Sequence, residues 1–327
     1  MIPLGSVSGR VPQVVCYSAS PLVSAGPTSG SGNYPAGGSL SYYGMAQSST
    51  GYITVAWWNG TKTTYGSGAT LADIGFTSDW INTGSTKRIV LYASNSTGGQ
   101  RGYIRNLQVE RWHLTGLNVT ANTELVGLKI SKNNLTSLDL SPMKKLQLLH
   151  FRSNLNTSLD VSRCSSLNTL YAGGGRKGSW YGYDENLQTD TLRPFPRRPS
   201  ALTTITFGAA NSSLTTLVVQ GSGVTAMNLT HLTGLYDLKC NDNPVSSLTM
   251  PTGGFTFGFV RSFRDTGAIL SVCNTALSSA SLNSIYTALP TAVGNGVINV
   301  VGASGAGAAN HATATGKGYG VYTANQF

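Results

Sequence analysis

Charged side chains are scarce in this 327-residue sequence, where Asp, Glu, Lys and Arg together make up 10% of the residues. A typical globular domain carries about a quarter. The four cysteines form no CxxC pair, which argues against a zinc site and against a disulfide framework. No stretch approaches the roughly 20 consecutive apolar residues of a membrane-spanning helix, so we expect no membrane insertion.

The composition is instead rich in glycine, with 40 residues, and in Ser and Thr, which is typical of a β-rich extracellular or virion protein. The net charge is +10, and residues 101–200 supply +7 of it, with 14 Lys and Arg against 7 Asp and Glu. Such a basic belt predicts anionic partners, such as phosphate, sulfate or uronate groups on glycans. A charge that serves only solubility is the alternative. We do not expect a nucleic-acid partner, because no nucleic-acid-binding motif accompanies the charge.

One apolar pattern recurs every 21 residues. Its clearest copy has apolar residues at Leu125, Leu128 and Ile130, followed by Asn133, and the next copy begins one period later at Leu146. The same frame fits residues 104–114, 167–172, 214–224, 235–245 and, more weakly, 270–277. Apolar residues two positions apart point to one side of a short strand. A single repeat cannot bury that side alone, so each repeat needs a stacked neighbour.

With this spacing the chain resembles the leucine-rich-repeat surface proteins of bacteria and bacteriophages, especially the short 21-residue type, reading LTSLDLS at 135–141 and NTSLDVS at 156–162. The resemblance covers roughly 104–290. It implies a β-rich α/β solenoid of about seven repeats and a role in binding rather than in catalysis. At the turn of the repeats, Asn133, Asn154 and Asn243 are expected to bond the backbone of adjacent repeats.

Local signals predict four regions along the chain. Asn59-Gly60 between two β-rich runs predicts a hairpin, and residues 87–93 predict a further strand. Near the C-terminus, Ser278 or Ser279 can cap a helix with apolar residues at helical spacing, and strands are expected around 297–301 and 319–323. We therefore predict an extended Gly/Ser/Pro-rich arm over 1–40 and a small antiparallel β domain that caps the array over 41–103. A repeat array with insertions near 173–201 and 249–267 is expected over 104–277, and a helix-plus-strand cap over 278–327.

The N-terminal sequence has neither the basic start nor the apolar run of a secretory signal. A virion protein, made in the cytoplasm and released by lysis, fits a surface-type composition without an export signal. A secreted adhesin would instead need a leader that lies outside this sequence. The expected localisation is therefore the virion, with an extracellular or cell-surface location as the alternative.

No arrangement of residues predicts catalysis. The twelve acidic residues are scattered, and Asp139 and Asp160 occupy equivalent repeat positions, where a turn role is expected. The four histidines lack the spacing of a metal site. Gly173-x-Gly175-x-x-Gly178 is followed by SWYGY rather than by a helix, so it does not predict a dinucleotide site. We expect no enzymatic activity, no cofactor and no metal, and a buried free thiol at Cys240.

Binding residues are predicted on the outward side of the repeat strands and in the first insertion. Outward positions supply Lys129, His150, Tyr171 and Lys239 in one column, and also Arg152, Gln220, Asp237 and Asn241. The insertion adds Arg176, Lys177, Trp180, Tyr181, Tyr183, Arg193, Arg197 and Arg198. Aromatic faces stack on sugar rings, and arginine holds carboxylate or phosphate in a two-point contact. A neighbouring subunit would use the same residue types, so a ligand and a subunit contact both remain open for this insertion.

The leading hypothesis is a non-enzymatic bacteriophage virion protein that is exposed on the particle, as capsid decoration or as a tail-associated adhesion protein. Its expected partners are other virion proteins, further copies of itself as a homo-oligomer, and anionic surface glycans. The alternative is a bacterial cell-surface leucine-rich-repeat adhesin that binds anionic glycans or a host protein.

Overall fold

The computed structural model describes residues 13–18, 40–57, 59–80, 87–110, 112, 114–174, 200–251, 270–292 and 296–324. Within these ranges the chain is rich in strands and has two short α-helices. The backbone divides into two compact units, Met1–Leu146 (unit 1) and Gln147–Phe327 (unit 2). None of the described helices has the length and apolar character needed to cross a bilayer.

Unit 1 consists of strands, namely β1 (Gln13–Ser18), β2 (Leu40–Ser48), β3 (Tyr52–Ala56), β4 (Lys62–Gly66), β5 (Ile74–Trp80), β6 (Lys87–Ala93), β7 (Ile104–Gln108), β8 (Leu114–Asn118) and β9 (Gly127–Lys129). One sheet has the order β4-β3-β6-β1-β8, and all its pairings are antiparallel. A second group has the order β9-β7-β2-β5, in which β7 and β9 are parallel. The strand predicted at 87–93 is confirmed as β6.

The predicted hairpin at Asn59-Gly60 is confirmed. Strands β3 and β4 pair antiparallel, with Ala56 opposite Lys62. Gly60 has a φ of +85°, which a side chain would disfavour, and its N–H donates to the Trp57 carbonyl at 3.1 Å. The Asn59 side chain accepts the Thr61 N–H at 3.0 Å and so fixes the other side of the turn. Local turn chemistry therefore closes this hairpin.

Part of the segment predicted as an extended arm is a strand. β1 pairs antiparallel with both β6 and β8, and its Val14 and Cys16 side chains are fully buried. The alternation in QVVCYS allows such a strand, but its partners lie about 70 and 100 positions along the chain. The arm prediction is wrong for residues 13–18. The distant strands β6 and β8 pair with this segment, and its local composition does not indicate these partners.

Unit 2 contains β10 (Leu148–His150), β11 (Ser158–Asp160), β12 (Thr169–Gly173), β13 (Thr204–Thr206), β14 (Thr216–Gln220), β15 (Ala226–Asn228), β16 (Asp237–Lys239), β17 (Ser247–Thr249), β18 (Leu270–Ser271), α1 (Ser279–Ala288), β19 (Gly296–Asn299), α2 (Ala312–Thr315) and β20 (Tyr319–Tyr322). Its main sheet is parallel throughout, in the order β10-β12-β14-β16-β18-β19-β20. Two smaller parallel pairs are β11–β13 and β15–β17.

The register of the main sheet follows the sequence period. Leu149 pairs with Leu170, and Leu217 pairs with Leu238, each 21 positions later. Leu170 pairs with Leu217, 47 positions later, because the first predicted insertion falls between them. All four leucines are buried, and each contributes about 1.5–3 kcal/mol by leaving water. This leucine column lies in the core of unit 2.

The asparagines at the repeat turn bond backbone groups, as predicted. In unit 1, the Asn133 amide donates to the carbonyls of Val109 (2.8 Å) and Ile130 (3.0 Å). In unit 2, the Asn243 amide donates to the Val219 carbonyl at 2.9 Å and to the carbonyls of its own turn. Asn154 likewise donates to its own turn, at the Phe151 carbonyl. Asn133 and Asn243 thus satisfy buried carbonyls one repeat away.

The C-terminal helix and strands are confirmed. The Ser278 hydroxyl accepts the Ser281 N–H at 3.1 Å and caps α1, whose apolar residues at helical spacing are buried. At the other end, the Lys317 ammonium donates to the carbonyls of Tyr286, Thr287 and Leu289 at 3.1, 2.7 and 2.6 Å. Strands β19 and β20 then extend the parallel sheet, so the same ladder continues beyond the last repeat.

Replacing Asn243 with Ala is expected to lower the free energy of unfolding by about 2–4 kcal/mol. The substitution leaves buried carbonyls and the Ser222 N–H, which donates to the Asn243 side chain at 3.0 Å, without their partner. Denaturation in urea measures the change. The matched control is Asn228→Ala, which removes an exposed turn asparagine and should cost less than about 1 kcal/mol. Equal losses in the two variants would contradict the proposed role of Asn243.

The thiols of native protein should differ in their reaction with iodoacetamide at pH 8. Burial raises the pKa of Cys16, Cys164 and Cys240 to about 12, with the Asp160 charge adding to the effect at Cys164, so few of these groups are thiolates. Cys273 is partly accessible and should react first. The other three should react only after unfolding, as read by mass spectrometry. Rapid native alkylation of Cys240, which is the buried free thiol that the repeat pattern predicted, would contradict this account.

Candidate functional site

The parallel strands of unit 2 set a row of side chains on the face opposite the leucine column. Since Leu149 and Leu170 are buried in the core, His150 and Tyr171, one position further, point to the other face. The register pairs His150 with Tyr171, Tyr171 with Val218, and Val218 with Lys239. We call these four residues the outward row. Three of them are predicted binding residues, so the sheet does align this part of the predicted column.

His150, Arg152 and Tyr171 come together at one end of the outward row. The His150 ring meets the Tyr171 ring edge-on, with 4.7 Å between centroids and 70° between planes. The Arg152 guanidinium carbon lies 4.9 Å from the centre of the same tyrosine ring, within the range of a cation–π contact. His150 is only 7% exposed, whereas Arg152 and Tyr171 are half-buried. Arg152 therefore brings a positive charge to the Tyr171 ring.

The cluster is partly organised before any ligand arrives. A long arginine side chain loses rotamer freedom when it binds an anion, and stacking on Tyr171 removes part of that freedom in advance. The planar fork of a guanidinium suits the two oxygens of a carboxylate, a sulfate or a phosphate. The arrangement can therefore hold an anionic group.

Lys239 is not a free positive charge. Its ammonium lies 3.3 Å from a carboxylate oxygen of Asp237, two positions earlier on β16, and both side chains are about one-quarter exposed. The carboxylate offsets the attraction of Lys239 for an anion. Asp237 is one of the predicted outward positions but was not counted among the binding residues, although its i, i+2 spacing from Lys239 places both side chains on one face of a strand.

The middle of the outward row is closed to solvent. Val218 is 3% exposed, and Gln220, two positions further on β14, is 7% exposed. Tyr171 and Lys239 lie on either side of β14, so they are two strand spacings, about 10 Å, apart. The structure therefore brings Arg152, His150 and Tyr171 together and separates this cluster from Lys239.

The remaining predicted binding residues are not placed in the cluster of His150, Arg152 and Tyr171. Lys129 lies on β9 in unit 1, half-buried and in register with Gln108. The residues predicted from the first insertion lie outside the described residues: Arg176, Lys177, Trp180, Tyr181, Tyr183, Arg193, Arg197 and Arg198.

The acidic residues of the repeats have turn roles, as expected. The carboxylate of Asp139 accepts the Ser141 N–H at 2.9 Å, and that of Asp160 accepts the Ser162 N–H at 2.8 Å. Hydrogen bonds from the backbone N–H and the side chain of Ser141 lower the pKa of the Asp139 carboxyl below its ordinary value. Within the part of the chain that the structure describes, no three His, Cys, Asp or Glu side chains group as metal ligands do.

Comparison with known proteins gives little similarity. No protein-family model matches the chain, and no curated protein matches it. Among solved structures, the chain is similar to the functional domain of InlJ from Listeria monocytogenes, which includes a cysteine ladder. The identity is 21% and the TM-score 0.22, and the match covers 57% of this chain and 43% of that one. The chain thus spans less than half of the length of that structure.

Proposed function

We propose that this protein is a leucine-rich-repeat solenoid of about seven 21-residue repeats that binds other molecules and catalyses no reaction. The parallel ladder of unit 2 supports the solenoid, because Leu149–Leu170 and Leu217–Leu238 pair at the sequence period. The turn asparagine Asn243 supports it further by bonding the Val219 carbonyl of the adjacent repeat. Repeats stacked in this way present one residue of each repeat in a row, which suits an extended binding surface.

The protein is proposed to serve as a structural component of a bacteriophage virion, exposed on the particle as capsid decoration or in association with the tail. Its low charge content, its many glycines and its strand-rich units support this role. In the virion it would contact other particle proteins and further copies of itself. The outward row would provide contacts with protein or with glycan.

A bacterial cell-surface adhesin is the second candidate function. The observation that favours it is the Arg152 guanidinium held 4.9 Å over the Tyr171 ring, since arginine with an aromatic neighbour suits uronate or sulfate groups on a glycan. A virion protein that attaches to cells could use the same pair. Location of the protein, rather than its ligand, therefore separates the two candidates.

Immunogold labelling of a lysate that contains both cells and phage particles tests the location. An antibody to this chain should place gold on capsids or on tails, and the labelled structure identifies which role to study. Preimmune serum and a lysate without the protein are the controls. Gold on cell envelopes, with bare particles, would reject the virion role and support the adhesin.

Replacing Arg152 with Gln should weaken binding to an anionic glycan about five- to tenfold, because a charge-assisted hydrogen bond contributes roughly 1.5–3 kcal/mol and water replaces part of it. The slope of affinity against NaCl concentration should also flatten. Calorimetry with alginate and heparin oligosaccharides measures both quantities. Alginate supplies uronate groups and heparin supplies both uronate and sulfate groups.

Arg163→Gln provides a matched control for Arg152→Gln. Arg163 is an exposed arginine of unit 2 that lies in a turn, away from the outward row, so the substitution makes the same change in net charge. It should change the affinity less than about twofold, as expected for an exposed charge outside the contact. Equal losses for the two variants would mean that net charge, and not the Arg152–Tyr171 pair, governs binding.

A further inference from the structure

Unit 1 contains a cleft that the repeat pattern did not predict. It has a volume of about 350 Å³ and is lined by the aromatic residue Tyr17, by the polar residues Asn118, Thr120, Ser137 and Asp139, and by Gly116, Leu117 and Leu138. Ligand pockets in proteins range from about 300 to 1,000 Å³, so the cleft is large enough for a small ligand. It lies where β1, β8 and the turn at 137–139 come together.

Tyr17 supplies an aromatic surface to the cleft. The register of β1 and β8 places Tyr17 opposite Gly116, and a Cβ atom on Gly116 would come 3.2 Å from the Cδ2 atom of Tyr17. The glycine therefore makes room for the ring to lie close against β8. Tyr17 remains 38% exposed, so part of its ring surface is open to solvent.

The polar side chains of the cleft are held in place by turn bonds. The Asn118 oxygen accepts the Thr120 N–H at 3.0 Å and the Thr120 hydroxyl at 2.8 Å, and the NH₂ group of the same side chain is a hydrogen-bond donor. Asp139 accepts the Ser141 N–H at 2.9 Å, and a carboxylate has further lone pairs for two-point contact. Both an acceptor and a donor thus stand at fixed positions beside Tyr17.

We propose that this cleft binds one or two units of a neutral saccharide. The C–H face of a sugar ring packs on the Tyr17 ring, while Asp139 accepts from sugar hydroxyls and Asn118 donates to a hydroxyl or ring oxygen. Among the described residues that line the cleft, Asp139 is the only charged one, so an anionic glycan would meet a like charge there. The ligand class therefore differs from that of the Arg152 cluster, and the two sites lie in different units.

A structural role is the competing explanation for Tyr17. An aromatic ring that covers a cross-strand glycine stabilises a strand pair without any ligand. That role accounts for the packing on Gly116, whereas it does not involve Asp139. Substitutions at the two residues therefore separate the explanations.

Calorimetry of the full chain with neutral hexasaccharides tests the proposal. The probes are maltohexaose, cellohexaose, xylohexaose, mannohexaose and chitohexaose, each titrated at low and at high NaCl. At least one should bind with a Kd of about 0.1–1 mM, which is the range of a single small subsite, and its affinity should not depend on salt. Binding by none of the five at concentrations up to about 5 mM would overturn the proposal.

Three variants identify the site. Tyr17→Ala should weaken binding at least tenfold. Asp139→Asn keeps an oxygen that can accept the Ser141 N–H, as Asn118 accepts its own turn N–H, and should also weaken binding at least tenfold through loss of the charge. Tyr236→Ala is the matched control, since Tyr236 is a 42% exposed tyrosine of unit 2, and its affinity should be unchanged.

The outcomes separate this site from the proposed anionic site. Arg152→Gln should leave hexasaccharide binding unchanged, and Tyr17→Ala should leave alginate binding unchanged. If Asp139→Asn binds the hexasaccharide as tightly as the unchanged protein, Tyr17 has only its structural role and the proposal fails. Circular dichroism identifies a Tyr17→Ala protein that has lost its strands, and in that case the Asp139→Asn result alone decides.

Discussion

The burial of one leucine column holds unit 2 together. The described strands of its main sheet are all two to five residues long, and a strand of that length makes too few backbone hydrogen bonds to form alone. Leu149, Leu170, Leu217 and Leu238 pair in register and exclude water from one another. Each repeat therefore covers apolar side chains of its neighbour, and stability depends on stacking rather than on any single repeat.

The same register decides which outward side chains meet. Once Leu149 is fixed against Leu170, His150 must lie beside Tyr171, and Arg152 comes within reach of the same ring. The cluster of His150, Arg152 and Tyr171 thus results from the alignment of the core, since side chains alternate between the faces of a strand. The alternation also places Asp237 beside Lys239. The same sheet therefore holds the Arg152 guanidinium over the Tyr171 ring and pairs the Lys239 ammonium with a carboxylate.

Signals confined to a few neighbouring residues predicted their elements well. The turn at Asn59-Gly60 and the cap at Ser278 act through hydrogen bonds within one turn, and the turn amide of Asn243 bonds its own turn and the adjacent repeat. Features that need distant partners were not predicted. Strand β1 joins the sheet through residues far along the chain, and the approach of Tyr17 to Gly116 follows only from that pairing.

The sequence by itself determined the period of the repeats, the identity of the core leucines and the asparagines that close the turns, because each of these depends on spacing along the chain. The tertiary structure alone decided that Val218 separates Tyr171 from Lys239, and that Tyr17 and Asp139 line one cleft. Leu170 pairs with Leu217 although 47 residues separate them, which is not a multiple of the 21-residue period. Spacing along the chain therefore does not by itself predict which strands pair. Contacts across strands form where they bury apolar surface, and the surface that is buried depends on how the sheets assemble.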